Sequence, residues 1–252
     1  MKLLTVENAK TIKGEELGYR TGILYLAPSF ESGVIDTCPK ATAGCKAGCL
    51  FRAGRASFTP MIITARIRKT RELANDRAAF IDQLRKDIRQ LLKQCARLKM
   101  LPAVRINGTS DLPQVAMQLA REFPDIQFYD YTKIPAPWKR STGNYHLTFS
   151  LSESNLQDSL DALRHGVNVA AVFNVKRGHE LPATWNGFDV IDGDAHDLRF
   201  LNTVGISPTN VGRGLVIGLR AKGPAKKDTS GFVQIADLSV GTLPAACGHV
   251  AV

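Results

Sequence analysis

Short apolar runs alternate with longer amphipathic stretches along the whole chain. Seven of the apolar runs, 22–27, 103–106, 126–129, 145–149, 167–173, 188–191 and 215–219, have the length and residue types of buried strands. Between them the period changes to that of a helix. From 77 to 99, Phe80, Leu84, Ile88, Leu91, Cys95 and Leu98 recur at spacings of three and four and draw one apolar stripe. Cys95 lies on that stripe, so packing accounts for it. Thr59 and Pro60 combine a capping hydroxyl with a proline at the first helical position, opening a basic stretch with Arg66, Arg68, Lys69 and Arg71. A further helix is predicted over 113–123 behind an Asp111 cap. Another, over 154–165, starts at Ser154, carries Leu156, Leu160 and Leu163, and stops at Gly166. The first sixteen residues read as an irregular or hairpin lead-in.

Strands alternating with helices of this length imply parallel strands joined by right-handed crossovers. The fold class is therefore α/β, and the architecture expected is a (β/α) barrel, TIM-like, partial or closed. A doubly wound open sheet is the alternative, but no G-x-G-x-x-G fingerprint follows any strand. The expected organisation is one barrel domain over 1–252, with a lead-in to 20, a cysteine loop at 36–55 and a C-terminal extension at 221–252.

Barrels of this kind place their chemistry on the loops after the strands, and here those positions are polar. The candidate pocket is Arg105, Asn107, Thr109, Asp111, Asp130, Lys133, Ser150, Asp192, Asp194, His196, Asp197 and Arg220, with a small molecule or nucleotide as its ligand. Asp192, Asp194, Asp197 and His196 offer oxygen and nitrogen ligands for a divalent cation; a turn and a helix cap explain the same residues more simply. No G-x-S-x-G elbow, H-E-x-x-H pair or phosphate-binding loop is present, and the tract 223–231 reads as a basic surface loop.

The cysteines change the picture. Five are present, and Cys38, Cys45 and Cys49 form C-x6-C-x3-C, while Cys95 and Cys247 stand apart. An odd, clustered set suits a metal site in a reducing compartment better than a disulfide framework. Three soft thiolates fit a 4Fe-4S cluster with one iron left open, where a ligand such as S-adenosylmethionine can bind; zinc, lacking its fourth ligand, and plain packing or redox cysteines are the alternatives. Lys40, Lys46, Arg52 and Arg55 are expected to offset the thiolates' charge and lower their pKa values. The formal charge of +10 favours a polyanionic partner such as nucleic acid. No run reaches membrane-spanning length and residues 1–16 turn polar too early for a signal peptide, so a cytoplasmic location without membrane attachment is expected.

Three cysteines after the first strand of a barrel resemble the radical S-adenosylmethionine superfamily, whose usual spacing is C-x3-C-x2-C. A closer resemblance, over most of the chain, is to the phage gene product eighty-eight family. It rests on TCPKATAGCKAGC at 37–49, VRINGTSDLP at 104–113, FYDYTKIP at 128–135, YHLTFSLSESN at 145–155, VIDGDAHDLRFL at 190–201 and GLRAKG at 218–223. This resemblance implies a viral protein, working in the host cytoplasm, with a site built from the cysteine loop and the strand ends. Two functions follow as expectations: an iron-sulfur enzyme with a radical-S-adenosylmethionine-like barrel, or a nucleic-acid-binding protein of phage replication or host takeover whose cluster or zinc is structural or redox-sensing.

Overall fold

The computed structural model describes residues 2–52, 59–202 and 211–236. Its centre is a run of seven parallel strands, all within one or two residues of the apolar runs except the first and third, which shift by up to three. They are β2 (Tyr19–Leu24), β3 (Leu101–Arg105), β4 (Gln127–Thr132), β5 (Tyr145–Ser150), β6 (Val169–Phe173), β8 (Phe188–Asp192) and β9 (Val216–Arg220). Three short strands complete the sheet: β1 (Leu4–Thr5), antiparallel to β2; β7 (Thr184–Trp185), antiparallel to β8; and β10 (Val233–Gln234), parallel to β6. The hydrogen-bonded order is β1-β2-β3-β4-β5-β6-β9-β8-β7, with β10 beside β6.

The helices are α1 (Ala9–Glu15), α2 (Ala43–Ala47), α3 (Pro60–Asn75), α4 (Arg77–Leu98), α5 (Pro113–Glu122) and α6 (Leu156–Arg164). The α4 stripe is buried from Phe80 to Cys95 and meets Leu24, Val104, Ile106, Phe128, Tyr145 and Leu147 of the sheet. A second core joins Phe149, Val169, Ala171 and Phe173 to Ala162 and Leu163 of α6. Both cores lie on the helix-covered face of the sheet.

Six strand-to-strand steps separate β2 from β8, roughly 29 Å in a flat sheet at about 4.8 Å per step. Yet Lys13 of α1 donates to the Asp194 carbonyl at 2.5 Å, and the Tyr19 and Phe200 rings sit 5.1 Å apart, edge to face. The sheet must therefore curl. No ladder joins β2 to β8 among the described residues, so the closed barrel is not formed. Leu198 and Phe200 pack with Tyr19, Ala103 and Tyr129 in the gap instead.

The strand order departs from chain order at β8 and β9 for a local reason. The connection from β6 to β8 contains the β7–β8 hairpin and no helix, so nothing forces a crossover beside β6, and β9 returns between them. The lead-in is corrected to a short strand and α1. The helix starts also differ: Thr59 is the N-cap of α3 without a side-chain hydrogen bond, and Leu112 and Asn155, not Asp111 and Ser154, occupy the N-caps of α5 and α6. Residues 221–236 of the expected extension belong to the sheet through β10, which pairs with the end of β6 while β5 pairs with its start. Residues 237–252, with Cys247, and the loop 53–58, with Arg55, lie outside the described residues.

Candidate functional site

The loops at the carboxyl ends of the strands close around a cavity of about 450 Å³. One wall is the cysteine segment. After β2 the chain is pinned by Thr37, whose hydroxyl donates to the Ala27 carbonyl at 2.6 Å and whose own carbonyl accepts from the Asp111 amide at 2.7 Å. Cys38 follows, its Sγ 3.8 Å from the Thr109 carbonyl. Cys45 sits on α2, whose N-cap is Thr42; the Thr42 hydroxyl accepts from the Cys45 amide at 3.3 Å and donates to Glu153 Oε2 at 2.7 Å. Glu153 Oε1 accepts from the Gly44 amide at 2.7 Å, so this carboxylate ties the start of the cysteine helix to the end of β5. Burial opposes ionisation of Glu153, but these donors hold its carboxyl below the usual range. Gly44 is required here, because a Cβ would stand 2.8 Å from Phe232 Cβ. Cys49 Sγ accepts from the Phe51 amide at 3.5 Å.

All three thiols line this cavity and also a second, outer cavity of about 520 Å³ lined by Phe30, Lys46 and Arg71. They are free cysteines. Among the described residues no group of three or more His, Cys, Asp or Glu side chains is arranged to hold a metal ion. The three thiols share the lining of one cavity without forming such a group. The acidity expected of Cys38 and Cys49 is corrected: burial pushes the Cys38 thiol up to about 11 and raises Cys49 despite the amide of Phe51 and the charges of Arg66 and Lys133. Lys40 and Lys46, expected to lower them, are exposed.

The floor is set by Asp130, which is fully buried and accepts from the Asn107 amide at 2.7 Å, Asn107 Nδ2 at 2.9 Å and the Tyr145 hydroxyl at 3.1 Å. Asn107 Oδ1 then accepts from Ser110 Oγ and the Leu112 amide, shaping the whole loop after β3. Gly108 permits its close approach, since a Cβ would lie 2.7 Å from the Leu24 carbonyl. Asp111 Oδ2 accepts from the Lys133 amide at 2.8 Å, while Oδ1 is sealed from solvent without a hydrogen-bond partner. Burial raises the Asp111 carboxyl above its ordinary value. Lys133 reaches over the Phe232 ring, 5.7 Å from its centroid.

The opposite wall is an ionic lattice. Arg105 pairs with Asp197 at 2.7 Å and lies over the Tyr131 ring; Arg220 bonds Asp192 at 2.9 Å and Asp194 at 3.3 Å; Lys222 reaches Asp194 at 2.5 Å. These carboxylates are matched by cations, which leaves turn stabilisation as their evident role and gives the divalent-cation expectation no support.

Of the pocket predicted from sequence, Arg105, Asn107, Thr109, Asp111, Lys133, Ser150, Asp194, His196, Asp197 and Arg220 line the cavity. Asp130 acts from beneath it, and Asp192 is exposed beside Arg220. Tyr131, among the polar residues that follow the third predicted strand, lines the cavity as well, whereas sequence reasoning missed Lys13 and Phe232. Lys13 and Phe232 are brought in by α1 and the β10 segment, which the pattern did not reveal.

The model of the family described as Gene product 88 matches residues 2–235, a span that takes in every segment lining the cavity. No curated protein and no solved structure matches the chain. No helix among the described residues is long and apolar enough to cross a membrane.

Proposed function

The chain belongs to the phage Gene product 88 family, and from that premise we propose that it is an iron-sulfur protein whose 4Fe-4S cluster is held by Cys38, Cys45 and Cys49 in the host cytoplasm. The observation that supports this reading is that three soft donors line the same cavity as a set of polar strand-end groups. The donor set fits such a group: three thiols around a space suit a polynuclear centre, whereas a structural zinc wants four protein ligands about 2.3 Å from one point. A bound cluster with one iron free of protein supplies an attachment point for a ligand and a route for single electrons.

The rest of the cavity would orient that ligand. Asp111 places a carboxyl and Lys133 an ammonium in the lining of the same cavity as the thiols. A molecule bearing both an amino and a carboxylate group, as S-adenosylmethionine does, would find an acceptor and a cation there. Phe232, Leu50 and Ala225 would keep bulk water from the reacting end. We read the curled sheet as an open relative of the radical-S-adenosylmethionine-type barrel.

Anaerobic reconstitution with iron and sulfide tests the proposal. About four irons and four sulfides per chain are expected, with a visible charge-transfer band, together lost on Cys38→Ala, Cys45→Ala or Cys49→Ala. Reductive cleavage of S-adenosylmethionine by the loaded protein tests the enzymatic part. Zinc retained in place of iron, or iron retained by the triple alanine variant, would reject the cluster. The nucleic-acid reading has the +10 charge in its favour, but its basic helix is largely spent within the fold. Arg66 lies over the Tyr25 and Phe51 rings, Lys69 donates to the Leu3 carbonyl and Arg71 to the Ser32 carbonyl. Salt-sensitive DNA or RNA binding by the purified chain would restore it.

A further inference from the structure

The lining of the inner cavity carries more positive than negative charge. Lys13, Arg105, Lys133, Arg220 and Lys222 enter it from α1 and from the ends of β3, β4 and β9, whereas its carboxylates are Asp111, Asp194 and Asp197. Both arginines are committed within the protein. Arg105 is closed on Asp197, and Arg220 bonds Asp192, Asp194 and the His179 carbonyl.

The lysines are held differently. Lys13, in the last turn of α1, donates to the neutral carbonyl of Asp194 at 2.5 Å, and Lys222 pairs with Asp194 Oδ1 at 2.5 Å. Burial opposes ionisation of Asp194, but Lys222 and Arg220 hold its carboxyl below the ordinary range, so it is a fixed anchor for the cations around it. An ammonium has three N–H donors, and each of these two uses one on Asp194. Both lysines are exposed. Two ammoniums with donors to spare, reachable from solvent, therefore stand beside one residue of the cavity wall, and the low-dielectric walls focus their field inward.

The residue types select the ligand. A carboxylate is matched by the planar fork of arginine, and here both forks are closed; a lysine ammonium acts as a point charge, a common partner of phosphate. A phosphate monoester brings nearly two negative charges and several acceptor oxygens to such a pair. The cavity, about 450 Å³, has the size of a small-ligand site, and Val172, Leu219 and Phe232 give it apolar surface. We propose that this cavity binds a small organic phosphate monoester of mononucleotide size, its phosphate held by Lys13 and Lys222 and its less polar body by Val172, Leu219 and Phe232. The phosphate site is built from α1 and the loops after β8 and β9. It goes beyond the cluster proposed above and does not depend on it.

The test is calorimetric titration of the full, metal-free chain in thiol reductant, at constant ionic strength and without phosphate in the buffer. The probes are adenosine monophosphate, ribose 5-phosphate, inorganic phosphate and adenosine. At least one phosphate-bearing probe should bind at one site per chain while adenosine does not, and the tighter ester separates a nucleotide from a sugar phosphate. Lys13→Met and Lys222→Met should each weaken that affinity about tenfold, whereas Lys86→Met, at an exposed position of α4, should leave it unchanged. Lys13 also ties α1 to the loop after β8, so Lys222→Met carries the test if Lys13→Met fails to fold. Iron retention after reconstitution should be the same in the lysine variants as in wild type, which separates this site from the cysteines. Adenosine binding as tightly as its monophosphate, no response to any phosphate-bearing probe, or full affinity in the lysine variants would overturn the proposal.

Discussion

Replacing Asp130 by asparagine should turn a nearly flat dependence of stability on pH between about 4 and 7 into a rising one. The carboxyl is fully buried, and burial pushes it up to about 7 in spite of its three donors and the nearby Arg105. Its unfolded value is about 3.9, so the shift spans about 3 units, or about 4 kcal/mol at 1.36 kcal/mol per unit. The folded state binds the extra proton. This contribution to stability is therefore complete below about pH 4 and is lost as pH rises through 7. His146 acts in the opposite sense. Burial and Arg199 lower it to about 4 against about 6.5 unfolded, so the folded state binds fewer protons, and stability rises by about 3 kcal/mol from pH 4 to 6.5. In the wild type the two slopes nearly cancel. Urea unfolding of the metal-free chain in thiol reductant, followed by circular dichroism at pH 4, 5, 6 and 7, should show Asp130→Asn gaining up to about 4 kcal/mol relative to wild type across the window. His146→Gln should lose about 3 kcal/mol relative to wild type over the same range. Difference profiles flat to within about 0.5 kcal/mol would refute the reasoning, because they would mean that neither group is titrating in a desolvated site.

Three further outcomes separate the site from its scaffold. Gly44→Ala should displace the segment ending at Phe232, because its Cβ would lie 2.8 Å from Phe232 Cβ; a loss of about 1–3 kcal/mol in urea unfolding and reduced iron retention are expected. Leu84→Ala, at a fully buried position of α4, should cost about 2–5 kcal/mol while leaving iron stoichiometry per folded chain unchanged. Cys38→Ala should flatten the alkaline end of the stability profile: with its folded pKa raised to about 11, the wild-type thiol contributes stability that is present below about pH 9 and falls away towards 11, and the variant lacks that decline.

The elements that could be read from sequence are those whose burial is local. The α4 stripe declares itself because burial of one helix face selects side chains at a fixed period, and the runs of β3, β6 and β9 because they are buried almost continuously. What escaped depends on chain order in space or on a few turn residues. The β7–β8 hairpin hangs on Asn186 and Gly187, both at positive φ, the signature of a tight two-residue turn that a search for strand and helix periods passes over. Helix α1 is seven residues long and is placed by Lys13 and by the packing around Gly14, contacts with residues some 180 positions later in the chain. No local pattern encodes that partnership.

The polar strand ends were legible because a curled α/β sheet exposes its loops together, but strand alternation decided which of them face the cavity. Asp130 shares a face with Phe128 and so binds Asn107 and Tyr145 under the loop, while its neighbour Tyr131 points inward. On β5, YHLTFS alternates in the manner of a strand with one wet side. Tyr145, Leu147 and Phe149 do meet the helices, while Thr148 is fully buried and His146 half-buried on a strand that packs against the turn carrying Arg199. The face carrying His146 and Thr148 becomes an interior once the sheet curls, and the curl is set by contacts between α1 and the loop after β8, near opposite ends of the strand order. The same curvature gathers three thiols and the polar strand ends around one cavity.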